Sequence, residues 1–180
     1  MARLNAVNPE EATGKAKELL DSVKNKLGVV PNMMRTMANA PAVLDAYLGF
    51  SSALSNASVN GKLGELIALT VANQNGCNYC NSAHSFFAQK IGLKAEDIQQ
   101  ARLGNAADPK ISAALNFAKE ILDKRGAVSD ESLQHIKEAG YSEAQVLEIV
   151  AQVVLSIFTN YINIISDTDI DFPKLTPINH

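Results

Sequence analysis

The sequence predicts an all-α fold, and three observations carry that expectation. Apolar residues recur at helical spacing along most of the chain. Proline and Ser/Asp/Asn capping positions open these runs and glycines close them. No segment shows the strict alternation with hairpin turn chemistry that marks a half-buried strand. A chain of 180 residues buries a real core without a covalent staple. It is expected to form one helical domain over residues 1–180, with 1–30 an N-terminal helical extension and 166–180 a C-terminal tail.

Taken in order, Pro9 with Glu10 and Glu11 is expected to open a first helix on which Ala16, Leu19, Leu20, Val23 and Leu27 share a face before Gly28 stops it. A short helix and connector follow in VVPNMMRTMANAP, where Met33, Met34 and Met37 form a soft apolar face suited to core or pocket lining. A helix from about Pro41 carries Leu44, Tyr47, Leu48 and Leu54. A second, from about Asn60, carries Leu63, Leu66, Ile67 and Val71 up to Gly76. Past the segment around 77–84, GLKAEDIQQARLGN predicts a glycine stop at Gly92 and a short helix. Asp108 then caps a helix with Pro109 at its first position and Gly126 at its end, and SDESLQHIKEAG gives another short capped helix. The last helix, from Ser142, is apolar nearly all round but is interrupted by Glu148, Gln152, Asn160 and Asn163. It is expected at the core or a subunit interface rather than across a membrane. The paired patterns GLKAEDI and GYSEAQV hint at a duplicated helical unit.

Composition narrows the function classes. A hydrophobic fraction of 47%, a charged fraction of 19% and a net charge of -3 describe a mildly acidic globular protein, with no electrostatic footprint for nucleic acid. The N-terminal segment lacks the apolar run of a signal peptide and carries acidic residues, so a cytoplasmic location is expected. In a reducing compartment, two cysteines spaced by two residues are more often catalytic or metal-binding than structural.

Both cysteines fall in GCNYCNSAH, residues 76–84. On a helix, Cys77 and Cys80 share a face, and His84 lies one turn beyond Cys80 on it. Cys77 is expected near a helix N-terminus, where unpaired amides and the macrodipole favour a thiolate. Glu65 stands alone within the apolar run LGELIALTV, where a carboxylate needs a partner. Each residue also has a plainer reading. The cysteines are candidates for inert buried thiols, Glu65 for a capping or surface carboxylate, and Tyr79 for either a packing residue or a phenol at a pocket mouth. A structural zinc site requires four ligands, and the segment supplies three, with His135 and His180 far away in sequence. His135, beside Gln134 and Lys137, reads as a solvated helix residue.

The pattern of Glu65, eleven residues, Cys77, two residues, Cys80, three residues and His84, followed by a helix ending in QKIGL, resembles the carboxymuconolactone decarboxylase and AhpD-like alkylhydroperoxidase superfamily, in its peroxidase-related branch. The resemblance extends over roughly residues 30–165, and the tail NYINIISDTDIDFP is similar to that of peroxidase-related members. It implies a compact AhpD-like helical bundle that assembles as a homo-oligomer, a trimer or hexamer. It also implies reduction of hydroperoxides through a redox-active CxxC disulfide, with an external dithiol, such as a lipoyl protein, as reductant. Carried over, Cys80 attacks the peroxide, Cys77 resolves it as a disulfide, and Glu65 and His84 relay protons. The helix dipole alone favours Cys77 as nucleophile instead. The best-studied family type has a histidine immediately before the second cysteine, where this chain has Tyr79. A phenol is a poor base near neutrality, so either a shorter relay with slower turnover or a different natural oxidant is expected.

The chemistry implied needs neither a metal nor a bound organic cofactor, and neither nucleic acid nor membrane is expected as a partner. Two rivals remain: a non-enzymatic redox sensor, and a cysteine-independent decarboxylase or isomerase that uses Glu65 and His84 for acid–base work.

Overall fold

The computed structural model describes residues 2–175, so His180 lies outside the described residues. Among these the fold is all-helical, with nine helices: α1 (Gly14–Leu27), α2 (Asn32–Met37), α3 (Pro41–Leu54), α4 (Gly61–Gln74), α5 (Asn78–Lys90), α6 (Ala95–Arg102), α7 (Pro109–Asp123), α8 (Asp130–Glu138) and α9 (Glu143–Ser166). Capping chemistry sets many of the boundaries. The Asp108 carboxylate accepts from the Lys110 and Ile111 amides, and Ser129 accepts from Ser132. Ser142 and Gln145 form a reciprocal capping box at the start of α9. Gly28, in the left-handed region at φ 76°, turns its amide back to Lys24 and ends α1.

The expected start of the first helix is corrected. Residues 9–11 form a turn instead, because the Asn8 carbonyl accepts from Glu11 and Ala12 while its side chain accepts from Glu10. Helix begins only at Gly14. The N-terminal segment is tied back to the helices. Arg3 and Leu4 donate to the Ser166 carbonyl at the end of α9, and Val7 and Arg35 exchange hydrogen bonds.

Helix α4 is the hub, packed against α5, α6, α7 and α9. Its residues from Leu66 to Asn73 are all buried, which a helix enclosed on every side requires. Ala68, Thr70 and Ala72 let neighbouring helices approach closely, and the Thr70 hydroxyl donates to the Leu66 and Ala101 carbonyls. One apolar cluster joins α4 to α6, α7, α8 and α9 around Ile67, Leu69, Leu115 and Ile149. A second joins α1, α2 and α3 to the start of α5 around Leu20, Leu44 and Met37, and includes both cysteines. Helix α9 packs against α2, α3, α4, α5, α7 and α8, as expected of a core helix. Its other face leaves Leu147, Val154, Tyr161, Ile164 and Ile165 exposed.

Candidate active site

The site forms where α4 and α5 meet, because these helices carry Glu65 and the CNYCNSAH segment and are packed side by side. Gly76, at φ 68°, turns the chain between them and Cys77 becomes the N-cap of α5. The two cysteines therefore do not share a helical face as the spacing alone predicts. Cys77 stands at the cap and Cys80 in the first turn. Their Cα atoms are 5.3 Å apart and the sulfurs are joined as a disulfide, a separation that the bond accommodates. The Cys77 sulfur accepts the Cys80 amide at 3.2 Å, so it takes one of the orphan donors of the helix end. Both cysteines are buried, at 1% and 3% exposure, but they face different surroundings. Cys80 lines a cavity of about 320 Å³ and Cys77 is not among its lining residues.

Glu65 and His84 line the same cavity, and Glu65 Oε2 lies 2.8 Å from His84 Nδ1. A carboxylate only accepts, so Nδ1 carries a proton, and in the neutral form of the ring this leaves Nε2 as the acceptor. The partner that Glu65 needs on its apolar helix is thus the histidine expected to work with the cysteines. The lone-carboxylate and surface readings of Glu65 give way to a paired, half-buried one.

Tyr79 takes both of the roles left open for it. It lines the cavity, and its ring packs edge-on against Phe172 at 5.7 Å. Its hydroxyl accepts the Met33 amide at 3.2 Å. Burial, together with the nearby Asp171 carboxylate, pushes the phenol far above its ordinary value despite the Met33 contact. Across the cavity the Tyr47 phenol is pushed up to about 12, by burial first and by Glu65 to a lesser degree, against a lowering contact from Ser51. Both phenols stay protonated at neutral pH and neither serves as a base.

Two groups of site residues escape the sequence reading. The C-terminal segment returns over the site. Asp171 Oδ2 accepts the Asn32 amide at 2.8 Å and thereby caps α2, and Phe172 stacks with Tyr79, Phe86 and Phe87 at the cavity wall. Asn163 of α9 donates from Nδ2 to the Cys80 sulfur at 3.3 Å. The only signal for Asn163 is its polarity, with Asn160 one turn earlier, on an otherwise apolar helix. His135 is exposed on α8, away from this cavity. Among the described residues no three His, Cys, Asp or Glu side chains converge to hold a metal ion.

Residues 41–120, which run from the start of α3 through most of α7 and contain Glu65, both cysteines and His84, match the Carboxymuconolactone decarboxylase family. The fold is similar to that of an uncharacterized peroxidase-related protein with an alkylhydroperoxidase AhpD core from Ralstonia eutropha JMP134. There the TM-score is 0.85 at 20% identity, covering 94% of this chain and 92% of that one. It is also similar to the apo debrominase Bmp8, with a TM-score of 0.78 at 23% identity, covering 93% and 91% of the two chains. The uncharacterized protein YdfG of Bacillus subtilis (strain 168) is 29% identical over 115 residues, 62% of this chain and 78% of that protein. The fold is an all-helical, AhpD-like bundle with a bonded cysteine pair at the start of α5. The chain's segment 41–120 is similar to the Carboxymuconolactone decarboxylase family, and its fold is similar to that of the AhpD-core protein.

Proposed function

We propose that this protein is a thiol-dependent peroxidase of the peroxidase-related branch, reducing hydroperoxides through a Cys77–Cys80 dithiol–disulfide cycle. The observation that carries this reading is the asymmetry of the pair. Cys80 opens onto a cavity that also holds the Glu65–His84 couple, whereas Cys77 is turned to the helix cap.

In the reduced protein, His84 Nε2 takes the Cys80 thiol proton while Glu65 steadies the resulting imidazolium. The thiolate attacks the terminal peroxide oxygen and the O–O bond breaks. The departing alkoxide takes the proton back from His84 and leaves as an alcohol, with a sulfenic acid on Cys80. The Cys77 thiolate, favoured by the amide at its cap, then attacks the Cys80 sulfur. The S–O bond breaks, hydroxide departs as water after protonation, and the disulfide forms. The peroxide gains the two electrons that the cysteines lose. An external dithiol, such as a lipoyl group on a protein, reduces the disulfide and is itself oxidised. This cycle suits the cytoplasm, where thiols are kept reduced. The exposed apolar face of α9 supports assembly into a trimer or hexamer.

Steady-state consumption of an organic hydroperoxide with a dithiol reductant tests the reading. Wild type turns over, and Cys80→Ser does not. A protein that oxidises once and stops is the redox sensor instead. Activity on a small organic acid that survives loss of both cysteines marks the acid–base alternative.

A further inference from the structure

We infer that Asn163 is a positioning residue that holds the Cys80 sulfur at the cavity and favours its thiolate by donating a hydrogen bond to it. The inference rests on Cys80 being the reacting thiol and goes beyond that reading in naming what stabilises its charge.

Asn163 comes from α9, 83 residues from Cys80, and is 3% exposed. One hydrogen of its amide nitrogen points to the Cys80 sulfur at 3.3 Å and the other to the Thr159 carbonyl at 3.0 Å. The second bond fixes which end of the amide faces the sulfur, because a flipped amide sets Oδ1 against two acceptors at once. The cost of this orientation is visible, since Asn163 Oδ1 is buried without a hydrogen-bond partner. An amide fixed with its donor forward gives the sulfur a hydrogen and offers no acceptor for a thiol proton. It therefore favours the charged form.

The surroundings leave this task open. The α5 amide nearest to Cys80, its own, is already committed to the Cys77 sulfur. Tyr47 of α3 and Tyr79 of α5 remain neutral phenols, and Asp171 of the C-terminal segment acts on Tyr79. Glu65 of α4 is an anion that opposes a thiolate unless its effect passes through His84 of α5. Lys26 of α1 lines the cavity as well. Helix α2 lines it with methionines, and α9 with no ionisable group. Asn163 is thus the donor that the fold supplies to Cys80 from the helix opposite.

The test reads one thiol. In a Cys77→Ser background, the rate of iodoacetamide alkylation against pH gives the apparent pKa of Cys80. Asn163→Leu removes the donor, and the isosteric Asn163→Asp replaces it with an acceptor. Each is expected to raise the pKa by about one unit or more, roughly a tenfold loss of thiolate at neutral pH, with Asp the larger shift. An unchanged profile in folded variants overturns the inference. A second measurement needs no substitution at Asn163. In the reduced wild-type protein, the Asn163 side-chain amide resonances are expected to titrate together with the Cys80 thiol. Resonances that stay fixed across that titration overturn it equally. If the profile shifts while hydroperoxide turnover is absent, the peroxidase reading fails and this one stands. Intact turnover with no shift gives the converse.

Discussion

Replacing Glu65 with Gln separates charge from shape at the centre of the site. Hydrogen bonds involving a charged group contribute about 1.5–3 kcal/mol, against about 0.5–1.5 kcal/mol for neutral ones. Glutamine keeps an acceptor for His84 Nδ1, so the variant loses only the difference, about 1–1.5 kcal/mol. The pair is partly open to solvent, with His84 26% and Glu65 23% exposed. Screening reduces the loss to about 0.5–1 kcal/mol, a rate about two- to fivefold slower. Glu65→Ala removes the acceptor altogether and frees the imidazole to adopt either tautomer, so a loss of about tenfold or more is expected. The assay is a quenched-flow measurement of thiol loss when reduced protein meets excess organic hydroperoxide at neutral pH, with helicity and melting temperature recorded alongside. A Gln variant that melts earlier yet reacts at the wild-type rate refutes the relay. So does one as inert as Cys80→Ser, because the carboxylate then acts on substrate directly rather than through His84.

Three further outcomes are expected. Tyr79→Phe leaves the buried Met33 amide without its partner, which costs about 1–3 kcal/mol and lowers the melting temperature by several degrees. The shape of the pH–rate profile is unchanged, because this phenol does not titrate near neutrality; a lost limb contradicts the account. Glu148 on α9 accepts from the Ser58 hydroxyl and the Val59 amide, and these contacts hold its carboxyl below its usual range. With the folded pKa depressed, its stabilisation is complete above the unfolded carboxylate pKa and is lost as pH falls through the folded one. The melting-temperature gap between wild type and Glu148→Gln therefore closes in acid, and a gap that widens there refutes the sign. In sedimentation equilibrium the protein runs heavier than 19.3 kDa, and Val154→Lys with Tyr161→Lys on the exposed face of α9 shifts it towards monomer. A wild-type monomer at micromolar concentration removes the interface.

The fold was legible where local chemistry decides. Gly28, the Asp108–Pro109 pair and the Ser142 cap mark boundaries within a few residues of their own side chains. Pro9 misleads for the same local reason, since Asn8 offers the backbone a turn that competes with helix. Glu65, Cys80 and His84, which the spacing singles out, line one cavity because α4 and α5 are consecutive and a tight turn at Gly76 folds one against the other. What stayed hidden depends on long returns of the chain. Asn163 meets Cys80 across 83 residues, Tyr79 meets Met33 across 46, and Asp171 reaches Asn32 across 139. Periodicity reports which face of a helix is buried and says nothing of which distant helix covers it.

The account turns on Cys80 as the sulfur that meets the peroxide, and trapping the first oxidised species tests this most directly. Reduced Cys77→Ser protein is mixed with one equivalent of an organic hydroperoxide in the presence of dimedone, and the labelled peptide is located by mass spectrometry. Cys80 is expected to carry the label, since it lines the cavity and its sulfenic acid has no resolving thiol left. An unlabelled Cys80 in this variant, together with a labelled Cys77 in the reciprocal Cys80→Ser protein, contradicts the assignment and makes the helix-cap cysteine the nucleophile.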